Sequence, residues 1–98
     1  MAAYSVLRSK TATLVAATED TVTLTASLST IRVTNFSTTA RISVRMDGTA
    51  ATVDGDNTVP VPPDSTITLL ASEYLLASDQ VVSLISAGTP DYCVHAYQ

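Results

Sequence analysis

Cys93 and His95 stand two residues apart near the end of the chain. A thiol beside an imidazole is the pairing from which a nucleophile and its general base are made. At strand spacing the two side chains share one face, but the rise between them is about 7 Å, too long for the activating hydrogen bond. The sequence suggests no orienting acid, so Cys93 reads as a small apolar filler. Zinc needs four ligands, which one cysteine and one histidine do not supply.

Asp54-Gly55-Asp56-Asn57 is the second cluster with chemical potential, because alternate acidic oxygens converge on a hard cation such as calcium. The calcium-loop spacing fails further on: Val59 holds the position a glycine needs and Ser65 the position a glutamate needs. The run therefore reads as an Asx-rich turn whose carboxylates bond backbone N–H groups. No cofactor is expected.

The third cluster is cationic. Arg41 and Arg45 share one parity of a strand, and Arg32 is expected opposite them across a hairpin. Three guanidiniums on one face suit the carboxylates of a partner or a symmetry mate. The alternative is a solvated face neutralised by local acids such as Asp47. Arg8 and Lys10 complete the basic residues, and all five are candidate partner-binding residues.

The elements that must position these groups read as strands. Ile42, Val44 and Met46 alternate with Arg41, Ser43 and Arg45, the period of a half-buried strand. Asp47-Gly48 and Asp54-Gly55 are turn pairs, and Val59-Pro60-Val61-Pro62-Pro63 is an extended, protected edge. Thr21–Thr25 alternates around Val22 and Leu24, and Ser29–Thr34 around Ile31 and Val33. Ser29–Thr34 and Ala40–Met46 are expected to form a hairpin with a five-residue loop. Ser65–Leu70 turns Ile67 and Leu69 inward, and the nearly all-apolar Val81–Ser86 reads as a central strand. Tyr92, Val94 and Ala96 face one way in the last strand. Ala71–Ser78 favours a single helical turn or a loop. Val33, Ile42, Val44, Ile67, Leu69, Leu84 and Val94 are the expected core.

About seven to nine short strands suggest one all-β domain over residues 1–98, a β-sandwich of immunoglobulin-like or Greek-key type, with a small barrel as the alternative. Residues 1–15 lack a hairpin partner in the sequence. They read either as an extended N-terminal arm that adds to a neighbour's sheet edge or as the first strand of the sandwich.

Composition narrows function. Charged residues make up 14% of the chain, low against about 25% in ordinary globular proteins. Thr and Ser fill the gap, and a low-charge β surface suits a protein covered by partners. A net charge of −4 argues against nucleic acid as the main partner. A single cysteine excludes an internal disulfide, so stability rests on packing, self-association or both. No apolar run reaches the roughly 18 residues of a membrane span, and MAAYSVLRSK lacks the order of a signal peptide, so synthesis in a cytoplasm is expected. Tyr4, Tyr74, Tyr92, Tyr97 and Phe36 suit packing and interface anchoring. Asn35-Phe36-Ser37 matches the glycosylation pattern but reads as an ordinary connector.

Four runs carry a resemblance: Ile31–Asn35, Ile42–Thr49, Gly55–Pro63 and Val82–Gly88. Together they are similar to a small β-sandwich common in tailed phages, particularly those of actinobacteria, with the pattern V-T-N … I-x-V-x-x-D-G-T … G-D-N … V-P-P … L-I-S-x-G … Y. The resemblance spans residues 30–97. The strand and turn ending in Asp47-Gly48-Thr49 also echo an immunoglobulin-like accessory module of glycoside hydrolases, which carries Pro where this chain has Ala50. The phage resemblance implies a non-enzymatic virion protein. It would decorate the capsid by binding the major capsid protein as a homo-oligomer. The alternative is a tail-borne adhesive module that recognises a cell-surface glycan. The absence of Trp and the Thr/Ser surface favour the capsid.

Overall fold

The computed structural model describes residues 8–24, 30–46, 48–70 and 80–97. Eight strands run through them: β1 (Arg8–Thr13), β2 (Asp20–Leu24), β3 (Thr30–Asn35), β4 (Ile42–Arg45), β5 (Val59–Val61), β6 (Ser65–Leu70), β7 (Gln80–Ile85) and β8 (Asp91–Tyr97). The described residues contain no helix. Ala71–Ser78, where a helical turn was one expectation, lies outside them.

Two antiparallel sheets form, with strand orders β1-β8-β3-β6 and β2-β7-β4-β5. The expected all-β sandwich is therefore present, and its sheets do not close into a barrel. The pairing has a simple rule: β1 pairs with β8, β2 with β7, β3 with β6 and β4 with β5. The first half of the chain thus lies against the second as one long ribbon. Rolling that ribbon brings β3 against β8 and β4 against β7. This is the double Greek key of an eight-stranded jelly roll. Its strand order differs from the immunoglobulin arrangement.

The expected hairpin between β3 and β4 does not form, because the two strands belong to different sheets. The segment between them is a crossover held by side chains. Asn35 donates from Nδ2 to the carbonyl oxygens of Ala40 (2.7 Å) and Val61 (3.1 Å), and its Oδ1 accepts the Ser37 N–H (2.9 Å). Ser37 Oγ accepts the N–H groups of Thr39 and Ala40. The loop's polar groups are satisfied without a hairpin ladder, so each strand is free to pair with a later one.

The core follows strand parity. Val33, Ile42, Val44, Leu84 and Val94 are fully buried and Leu69 nearly so, while Ile67 is half-buried and packed against them. Tyr92, Ala96 and Ile31 join the same core. The apolar run of β7 has its cause in a strap, residues 48–58, that covers the outer face of its sheet. Ser43 and Ser83, the outward residues of the two central strands, are buried beneath it. Their Oγ atoms accept the N–H groups of Asp54 (3.0 Å) and Ala51 (2.9 Å). Positive φ in the strap falls on Gly48, Asp54 and Asn57. Gly55 is needed for space instead, since a Cβ there would lie 1.7 Å from Thr52 Oγ1.

Of the two readings of residues 1–15, an arm or a first strand, the described part follows the second. Residues 8–13 are β1, in register with β8 from Arg8 against Ala96 to Thr13 against Asp91. Residues 1–7 lie outside the described structure.

A clamp joins the sheets on the β1–β2 side. Asp20 of β2 accepts a hydrogen bond from the buried Tyr92 hydroxyl of β8 (2.5 Å) and an ion pair from Lys10 of β1 (3.5 Å). The Tyr92 bond, with help from Lys10, holds the Asp20 carboxyl below its ordinary range despite partial burial. Burial, then the Asp20 carboxylate, pushes the Tyr92 phenol above its ordinary value. The signs set both limbs of the pH profile. Asp20 is depressed on folding, so its contribution is present above the unfolded carboxyl value of about 3.9 and is lost as pH falls below it. Tyr92 is raised, so its contribution is complete below about 10 and is lost as pH rises beyond. Asp20→Asn is expected to flatten the acid limb and Tyr92→Phe the alkaline limb, read as denaturation midpoints across pH.

Candidate partner-binding surface

Parity places Arg41 and Arg45 on the outer side of the second sheet, flanking Ser43. Both hold the strap. Arg41 Nε donates to Asp54 Oδ1 at 2.9 Å, and Arg45 Nη1 donates to the Asp56 carbonyl at 3.4 Å. The Asp54 hydrogen bond raises the Arg41 pKa, and both side chains are more than half exposed. Arg32 is not opposite them. It lies in the other sheet, between Thr68 of β6 and His95 of β8, and is exposed on that sheet's outer face. Lys10 closes the β1–β2 side. The Arg8 side chain and Asp47 lie outside the described residues. The expected single face of Arg32, Arg41 and Arg45 is therefore divided between the outer faces of the two sheets, because β3 and β4 part company at the crossover.

The Asp54–Asn57 run is a turn. Gly55 N–H donates to the Thr52 carbonyl (2.9 Å) and Thr58 Oγ1 to the Gly55 carbonyl (2.7 Å). Among the described residues no three His, Cys, Asp or Glu side chains gather as a metal site. Cys93 and His95 share the outer face of β8. Cys93 is half-buried between Thr11 and Thr34, with Sγ 3.7 Å from Ser9 Oγ, so it fills a hydroxyl-lined surface row rather than an apolar core. Asn35 of the glycosylation pattern is buried with its amide engaged, which removes it as a glycan acceptor. Phe36, just beyond it, is 54% exposed, as an interface anchor requires.

A groove of about 580 Å³ lies where β5, the start of β4 and the end of β7 come together, a feature the sequence did not announce. Pro60, Pro62 and Pro63 line one side and Ser86, Ala87 and Gly88 another, with Arg41 and Asp54 also at its wall. A second depression of about 330 Å³ shares Arg41, Asp54 and Pro60 with it. The floor is set by β5. Opposite Ser43, Pro60 has no N–H to give, so its ring occupies the open edge and blocks strand addition. Across from it, Ser86 Oγ donates to the Arg41 carbonyl (2.6 Å) and accepts the Gly88 N–H (3.1 Å), fixing the turn after β7. The result is a trough of prolines and small residues beside the partly exposed Arg41–Asp54 ion pair. It suits an extended segment that brings an apolar side chain and a carboxylate together. The only available hint in the sequence was Val59–Pro63, whose prolines marked an edge but not what would face it.

Comparison with protein families, curated proteins and solved structures returned no match for this chain.

Proposed function

We propose that this chain is a structural protein of a tailed-phage particle that decorates or stabilises the capsid by binding the major capsid protein lattice as an oligomer. One observation carries the reading. Two of the runs that resemble the phage sandwich, Gly55–Pro63 and Val82–Gly88, meet across the same groove, and a third, Ile42–Thr49, begins beside Arg41 at its wall. Runs distant in sequence thus build one surface, with an arginine suited to a lattice carboxylate. The jelly-roll order supports the reading by analogy, since it recurs in viral capsid proteins and also in lectins.

The test is a map of the phage particles by electron microscopy, with and without this protein. Density of one sandwich on the capsid lattice is the expected result. Density on the tail alone would favour the adhesive alternative, and absence from particles would overturn both. Readdition of the protein to particles lacking it tests the groove. Arg41→Glu is expected to reduce occupancy about tenfold or more, because it removes a charge-assisted contact and adds a repulsive one. Arg32→Glu, on the other sheet, is expected to leave occupancy near wild type.

A further inference from the structure

Among the described residues the sandwich has four edge strands, and three carry a barrier to strand addition. β5 is blocked by Pro60. β1 turns Lys10 inward, an edge charge, and its ammonium lies 3.5 Å from both the Asp20 carboxylate and the Thr21 carbonyl. That bridge also occupies the adjoining edge, β2. β6 differs: Ser65-Thr66-Ile67-Thr68-Leu69-Leu70 holds no charge and no proline. Among the described residues it pairs with β3 alone. Its alternate N–H and C=O groups face away from β3, and no described strand pairs with them, which is the template an added strand needs. Ile67 has inward parity and packs on the core, yet it stays half-exposed while its partner Val33 is fully buried.

We propose that β6 is the self-association edge of this protein, pairing antiparallel with β6 of a second copy so that the two sheets run on as one. The strand is self-complementary. With Ile67 opposite its own copy, Thr66 meets Thr68 of the partner copy at both ends, and the half-exposed Ile67 is covered. Threonine–threonine pairs are favourable cross-strand neighbours. Charge opposes this occupant least at β6. A chain of net charge −4 repels its own copy, and the uncharged edge is where approach is least opposed. In this register Asp64 falls opposite position 70 of the other copy, so no carboxylate meets its equivalent. One strand pair buries less than the roughly 1,200 Å² of a stable interface, so the free dimer is weak and a lattice would strengthen it by effective concentration.

This deepens the oligomer part of the capsid reading, but its test needs no particle. The full chain is sedimented up to millimolar concentration, beside T66K/T68K, T66E/T68E and an equal mixture of the two. Thr66 and Thr68 are exposed, but Thr66 Oγ1 bonds Thr34 Oγ1 (3.0 Å) and Thr68 lies opposite Arg32. Both variants are therefore expected to stay folded, with T66K/T68K the less stable, and association is compared at a temperature where each is fully folded. Wild type is expected to dimerise with concentration. Each double variant is expected to lose about tenfold or more in association, because like charges face each other at both ends of the pair. The mixture is expected to recover it, because opposite charges then face each other. A wild type monomeric throughout, a T66K/T68K variant that associates like wild type, or a mixture with no dimer would each overturn the proposal. Those failures would leave Arg41-dependent particle occupancy untouched, and loss of that occupancy would leave the dimer intact.

Discussion

Leu84→Ala is expected to lower the unfolding free energy by about 2–5 kcal/mol, read as a fall in denaturant midpoint with unchanged slope. Leu84 is fully buried on the inner face of β7, the strand held between β2 and β4. Its cross-strand neighbours are Asp20 and Val44. Both belong to ladders the backbone cannot abandon, so the site has little freedom to collapse around the lost atoms. The penalty therefore includes a cavity as well as the lost transfer free energy. For a domain whose whole stability is about 5–15 kcal/mol, that is a large fraction. Val15→Ala is the matched control. Val15 is 65% exposed, and its truncation is expected to change stability by less than about 0.5 kcal/mol. Equal small effects at both positions would mean that the parity of β7 had been misassigned.

Parity was the legible part of this fold. Period-two alternation reports which face of a strand is buried, because that is what selects its residues. It separated Ile31 and Val33 from Arg32, and Tyr92, Val94 and Ala96 from Cys93 and His95. Alternation says nothing about which strand lies alongside. The adjacent pair β3 and β4 looked like a hairpin for that reason, yet in the roll each strand finds partners far along the chain. Among the described residues the one pairing of sequence neighbours is β4 with β5, and it spans the whole strap. Ser43 and Ser83 carried a faint mark of that strap: small hydroxyl residues inside otherwise apolar strands, where a backbone N–H from above needs an acceptor.

The candidate surface was less legible because charge can be counted without being located. Five basic residues suggested a patch. Lys10 is drawn to Asp20 across the sandwich, Arg41 and Arg45 to the strap, and Arg32 lies on the opposite outer face. The groove depends on Pro60–Pro63 meeting Ser86–Gly88, two segments brought together only by the rolled ribbon. Tyr92 carries a signal of its own. A tyrosine of inward parity needs a partner for its hydroxyl, and Asp20, 72 residues away, supplies it.

Asn35→Ala is expected to destabilise the protein by about 2–4 kcal/mol, and Asn35→Asp by more. Asn35 is 1% exposed and joins three parts of the fold: β3, the crossover through Ser37 and Ala40, and β5 through Val61. Truncation to alanine leaves the Ala40 and Val61 carbonyls and the Ser37 N–H without their partner, and water has little access to replace it. Aspartate keeps the acceptor for Ser37 but turns a carboxylate oxygen toward two carbonyl oxygens in a buried site. Folding then raises the carboxyl pKa. The added penalty is complete at neutral pH and shrinks as pH falls toward the unfolded value of about 3.9, where the carboxyl is protonated and regains a donor. The stability gap between Asn35→Asp and wild type is therefore expected to narrow on acidification. Asn35→Ala carries no titrating group, so its gap is expected to stay constant. Chemical denaturation of the three proteins at neutral pH and near pH 4 separates the outcomes. A constant gap for Asn35→Asp would show that the amide's donors do not face those two carbonyls, and the account of why the chain crosses between sheets at Asn35 would fall with it.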